Sequence, residues 1–172
     1  IASKKATLAM ARLPQPCYMR LSRDKVPVVT TLQTPFEIGR AEVFYEGNDV
    51  AIIATGQMVY RALLSAKQMQ MHKISVRVIN CHTIKPLDKE LVIKAAKDCG
   101  AIITVEDHQV TGGLGGAVAE VLSQNFPVPL KIIGVEDKFG ESGEPDELLA
   151  KFGLTEKAIT SAVKDILQMK KR

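Results

Sequence analysis

Residues 49–56 read DVAIIATG, an apolar run with almost no polar alternation. A strand of this kind has no face to offer to water, so it belongs in the middle of a sheet covered on both sides. The rest of the chain repeats the theme. ISVRVIN (74–80), AIITVE (101–106) and PLKIIGV (129–135) are further β-type runs, separated by segments of helical period at 57–71, 89–98 and 115–124. Val59, Leu63 and Ala66 share a stripe in the first of these, and Leu91, Val92 and Ala95 point inward in the second. Strands alternating with helices imply parallel pairing through right-handed crossovers. AEVFYEG precedes the central run across Glu46-Gly47-Asn48-Asp49, which reads as a hairpin turn. The first strand is therefore expected to run antiparallel, at an edge. The predicted fold class is α/β: three layers, α/β/α, around a mixed, mainly parallel sheet of about five strands. Two helices close the chain near 145–151 and 155–169, with Asp88 and Thr155 as expected N-caps of helices.

The first forty residues read differently. A helix is predicted over 1–12, with Ala2, Ala6, Ala9 and Leu13 near one face, until Pro14 and Pro16 break it. CYMRL (17–21) is a short strand candidate, and 25–40, with Pro27 and Pro35, reads as an interdomain linker. The organisation expected is thus a stub at 1–24, a linker at 25–40 and a domain at 41–172. The chain opens on Ile1 inside a helical pattern, so more sequence is expected upstream.

Several classes of function lose support here. No apolar run reaches the roughly 18 residues of a membrane span. Cys17, Cys81 and Cys99 are an odd number without a CxxC pair, which argues against a disulfide framework and for a reducing cytoplasm. The net charge of +4 comes from basic residues scattered among acids, and aromatics are 5% with no Trp. That is no footprint for nucleic acid.

The segment TVEDHQVTGGLGG (104–116) joins a strand to a helix through four glycines. Gly113-x-Gly115 in that context, with Glu136 ending the next strand, suggests a dinucleotide site. Val118 stands where the third glycine of that fingerprint belongs, and the unit comes late in the sheet. A plain tight turn that includes Gly112 is the favoured reading, ahead of a helix N-terminus that holds another anion and of a dinucleotide. The carboxyl ends of the strands also gather Thr55-Gly56-Gln57, Asn80-Cys81-His82, Glu106-Asp107-His108 and Glu136-Asp137. Such a cluster allows a metal site or a Cys-His hydrolase, although no HExxH or CxxC spacing supports either.

Taken together, ATGQMVYRAL, RVINCHTIKPLD, ITVEDHQVTGGLGGAVAEVL and GESGEPDELLAKFGLT resemble, in order, the C-terminal domain of transketolases. PCYMRLSRDKVPVV resembles the end of that family's pyrimidine-binding domain and the start of its linker. TIKPLD and GESGEPDELL favour transketolase over deoxyxylulose-phosphate synthase and the β subunits of 2-oxoacid dehydrogenases, which share the domain. The resemblance implies transfer of two-carbon ketol units between sugar phosphates with thiamine diphosphate and a divalent cation, Mg or Ca. It also implies that this chain is mainly a structural and dimerisation domain, inactive and free of cofactor by itself. A homodimer, or a complement with an N-terminal transketolase polypeptide, would complete the enzyme. One site residue carries over: Arg23 of RLSRD matches the family's arginine that holds the phosphate of the sugar substrate. Arg20, three positions back, would face the opposite side of a strand. A small nucleotide-binding regulatory domain is the rival reading.

Overall fold

The run from 49 to 56 forms β2 (Val50–Ala54), and all five of its residues are buried. In the computed structural model, which describes residues 1–23 and 25–170, this strand is the centre of a five-stranded sheet. The other strands are β1 (Glu42–Tyr45), β3 (Val76–Asn80), β4 (Ile102–Gln109) and β5 (Leu130–Val135). Their order is β1-β3-β2-β4-β5, with β1 antiparallel at one edge and the rest parallel. Asp24, Lys171 and Arg172 lie outside the described residues, and so does a pairing of Arg23 with the adjacent Asp24, the bland alternative to phosphate binding.

The pleat of β2 divides the core. Val50, Ile52 and Ala54 face α2 (Met58–Gln70) and α6 (Glu156–Lys170), while Ala51 and Ile53 face α3 (Lys89–Cys99) and α4 (Leu114–Asn125). Burying each such Ile or Val contributes about 1.5–3 kcal/mol, so the strand is held from both faces. Asp88 caps α3 by accepting from the Leu91 N–H at 3.0 Å, and its other oxygen accepts from the Ala41 N–H at 2.9 Å. One carboxylate thus ties the start of a helix to the residue before the edge strand. Thr155 accepts from the Ala158 N–H at 3.2 Å, as expected of an N-cap, and α5 (Pro145–Lys151) precedes it.

The expected hairpin is not formed. β1 pairs with β3, in the register Glu42↔Asn80 and Val43↔Ile79. Both edges of β2 are taken by β3 and β4, so none is left for β1. The connecting turn crosses the start of β3 instead: the Asp49 N–H donates to the Ser75 carbonyl at 2.8 Å, and the Ser75 N–H donates to Asp49 Oδ2 at 2.7 Å. A Cβ on Gly47 would lie 2.3 Å from the Val76 carbonyl carbon, so only glycine permits this crossing.

The N-terminal helix is shorter than predicted. It spans α1 (Ala2–Met10) and buries no residue. CYMRL is not a strand: it pairs with neither edge of the sheet, and Tyr18 is 87% exposed. Lys5 anchors the region to the linker by donating to the carbonyls of Thr31, Leu32 and Thr34.

Candidate functional site at the carboxyl ends of β2 and β4

The helix leaving β2 packs on one face of the sheet, and the helix leaving β4 packs on the other. A crevice therefore opens at the carboxyl ends of these two neighbouring strands, the place where open α/β sheets take ligands. Gly56 turns there in the left-handed region (φ 59°) and brings Gln57 to the start of α2. Gln57 Nε2 donates to Asp107 Oδ2 at 2.6 Å. Arg20 reaches the same residue from the N-terminal segment. Its Nη1 donates to the Asp107 carbonyl at 2.5 Å, and its Nη2 lies 3.9 Å from Asp107 Oδ2. The alternation expected for a strand does not govern Arg20, because residues 17–21 are not a strand.

The strand before the glycines is longer than its apolar run. It continues to Gln109, so Asp107 and His108, like Glu106, lie within β4, not in the loop. Adjacent strand residues point in opposite directions. Asp107 faces the crevice contacts, and Glu106 is fully buried. Its carboxylate accepts from the Leu114 and Gly115 N–H groups, both at 2.8 Å. These are among the orphan donors at the start of α4, where the helix dipole favours a negative charge. A Cβ on Gly113 would fall 2.0 Å from Glu106 Oε2, and one on Gly115 would fall 2.5 Å from Ile132 Cγ2. Gly112 adopts φ 77° with open space around it. The glycine turn thus holds an anion, but the anion is the chain's own glutamate. A phosphate would have to displace it.

His108 is exposed, with Nδ1 3.0 Å from the Gln109 carbonyl and 3.9 Å from Glu106 Oε2. Glu136 and Asp137 are exposed beyond the end of β5. Cys81 and His82 do not form a nucleophile and base. The Cys81 thiol is within 3.3 Å of the Thr83 carbonyl, and His82 Nδ1 is 3.0 Å from Thr83 Oγ1. The imidazole stacks on Phe36, with centroids 4.2 Å apart. Burial, reinforced by the charge of Asp88, pushes the Cys81 thiol up to about 12, and burial pushes His82 down. Among the described residues there is no group of three or more His, Cys, Asp or Glu placed to hold a metal ion. Arg23 is exposed, three residues beyond Arg20. The sequence placed Gln57 in the strand-end cluster without a role and set Arg20 on the far side of a strand, since their contacts with Asp107 depend on the folded chain.

Residues 39–159 match the family described as transketolase, C-terminal domain. The chain belongs to that family. A 6-deoxy-6-sulfo-D-fructose transketolase subunit from Clostridium sp. (strain MSTE9) is 44% identical over 155 residues, covering 90% of this chain and 48% of that protein. A putative transketolase C-terminal section from Methanocaldococcus jannaschii is 38% identical over 172 residues, covering 98% of this chain and 53% of that protein. A solved structure described as a split gene transketolase, inactive beta4 tetramer, matches with a TM-score of 0.94 and 44% identity, covering 98% of this chain and 56% of its own. The mixed five-stranded fold and the transketolase resemblance drawn from the motifs are both borne out. The chain spans about half the length of the curated relatives it matches.

Proposed function

We propose that this chain is the C-terminal part of a thiamine-diphosphate-dependent transketolase that moves two-carbon ketol units between sugar phosphates. The observation that carries the reading is the likeness to a split gene transketolase across 98% of the chain. The sheet domain from residue 41 onward is a scaffold and an assembly surface, residues 1–24 are the end of a pyrimidine-binding domain, and 25–40 link the two. The protein works in the cytoplasm, as a homodimer or together with an N-terminal transketolase polypeptide. No described helix is long and apolar enough to cross a membrane.

The described residues do not fit thiamine diphosphate. The glycine-turn N–H groups that would suit a diphosphate are already taken by Glu106. The cofactor and its Mg or Ca ion therefore belong to the rest of the complete enzyme. What this chain contributes to substrate binding is Arg23. A guanidinium offers a planar fork of donors that matches a phosphate, and Arg23 is exposed and available to one. A charged anchor far from the reacting carbon holds the sugar in a reactive pose, so its loss lowers affinity and turnover together.

The test is Arg23→Ala in the assembled enzyme. A charge-assisted contact of this kind is worth about 1.5–3 kcal/mol, or roughly ten- to a hundredfold in kcat/KM. That loss is expected with phosphorylated acceptors and largely absent with an unphosphorylated sugar. Arg23→Lys should recover part of it. Equal losses on both acceptors would make Arg23 structural and remove the assignment.

A further inference from the structure

We infer that Arg20 is a positioning residue: hooked onto the end of β4 at Asp107, it fixes the segment that carries Arg23. The inference rests on the reading of Arg23 as the phosphate ligand. Its basis is how little else holds this segment. Among the described residues from Arg12 to Thr30, Arg20 makes the only hydrogen bond to the sheet domain. Cys17 bonds only to its neighbour at Gln15, and neither Tyr18 nor Leu21 is covered. A segment with no strand partner and no fully buried side chain, Met19 being half-buried, has little else to keep it in one position.

The place where it is held is rigid. Glu106 is clamped by the two N–H groups at the start of α4, which fixes β4 immediately before Asp107. Gln57 holds the Asp107 carboxylate from the neighbouring strand's end. The backbone carbonyl of Asp107 is therefore a fixed acceptor, and the carboxylate beside it adds charge attraction to the guanidinium. The crevice at the switch point of this sheet thus seats a side chain of the same polypeptide. Three residues of chain span at most about 10 Å, so releasing Arg20 lets Arg23 wander over a comparable range. A misplacement of about 1 Å is enough to matter for a positioned group.

A purely structural role for Arg20 would weaken all substrates alike, whereas positioning acts through Arg23. In the assembled enzyme, Arg20→Ala should lower kcat/KM for a phosphorylated acceptor about tenfold, through KM and kcat together as expected for Arg23, and leave an unphosphorylated acceptor nearly unaffected. Arg20→Lys, which can still donate to the Asp107 carbonyl, should restore most of the loss. The double variant Arg20→Ala/Arg23→Ala should be no worse than Arg23→Ala alone. In the full chain without substrate, Arg20→Ala should speed amide exchange over residues 16–23 and leave 102–125 unchanged, which separates release of the segment from unfolding. If Arg23→Ala shows no phosphate-specific loss, the phosphate-site reading fails and takes this inference with it. If Arg23→Ala shows that loss while Arg20→Ala does not, positioning alone is overturned. Additive losses would show that Arg20 binds phosphate independently, which also overturns it.

Discussion

Every residue of β2 is buried, whereas none of the described residues between 1 and 40 is. The sheet domain carries its own core on two faces. The N-terminal arm exposes Leu8, Tyr18, Leu21, Val28 and Leu32 to water. Both regions are rich in apolar residues, so composition does not separate them. Connectivity does: from residue 41 onward each strand has a partner and helices cover both faces of the sheet, while the arm is joined to the domain by few polar contacts and by Val29 and Phe36. Apolar surface spent in this way suits a segment whose packing is completed by other protein.

The widest contrast comes from equal truncations in the two regions. Ile52→Ala empties a fully buried site and should cost about 2–5 kcal/mol in urea unfolding. Leu32→Ala removes a side chain that is 78% exposed and should change stability by about 0.5 kcal/mol or less. Similar costs at both positions would mean that the arm has a core of its own.

A finer comparison sets two neighbouring acids against each other. Glu106→Gln keeps the shape but turns an amide N–H₂ toward a buried donor, so about 1–3 kcal/mol of stability should be lost. Asp107→Asn, at the partly exposed neighbour, should cost about 1 kcal/mol or less. Chemical denaturation of the two variants side by side decides this, and the reverse order would contradict the clamp.

The smallest effect concerns pH. Burial lowers the His82 pKa below its ordinary value of 6.5, so the unfolded chain takes up the proton first as the pH falls. The stability that the neutral ring contributes is complete above about pH 6.5 and is lost as the pH drops through the folded value. Thermal unfolding of the wild type and His82→Gln between neutral and mildly acidic pH should converge on acidification. A constant gap between them would mean that His82 does not titrate differently on folding.

The order of elements, the antiparallel edge strand and the caps at Asp88 and Thr155 were all legible in the sequence, because each depends on local period or on a few adjacent residues. The partner of β1 was not, since turn residues at Glu46–Asp49 say nothing about which strand occupies each edge of β2. CYMRL has the apolar character of a strand but pairs with no strand of the sheet. The strand content of Asp107 and His108 was hidden because such polar residues are poor strand formers, and Glu106 is held by two helix N–H groups that sequence spacing does not reveal. A leucine and a glycine eight and nine positions after a glutamate are hardly a signal until the turn is folded. Arg20 gave no sign of its role, which exists only because the N-terminal segment meets the end of β4.

The most direct measurement of the account is ketol transfer by the purified chain, with thiamine diphosphate and Mg or Ca, alone and after addition of a polypeptide that carries the rest of a transketolase. The chain alone should give no turnover, because its glycine turn is occupied by Glu106 and cannot serve the cofactor, and activity should appear when the second polypeptide is added. Turnover by the chain alone, or none after a complex has demonstrably formed, would contradict it.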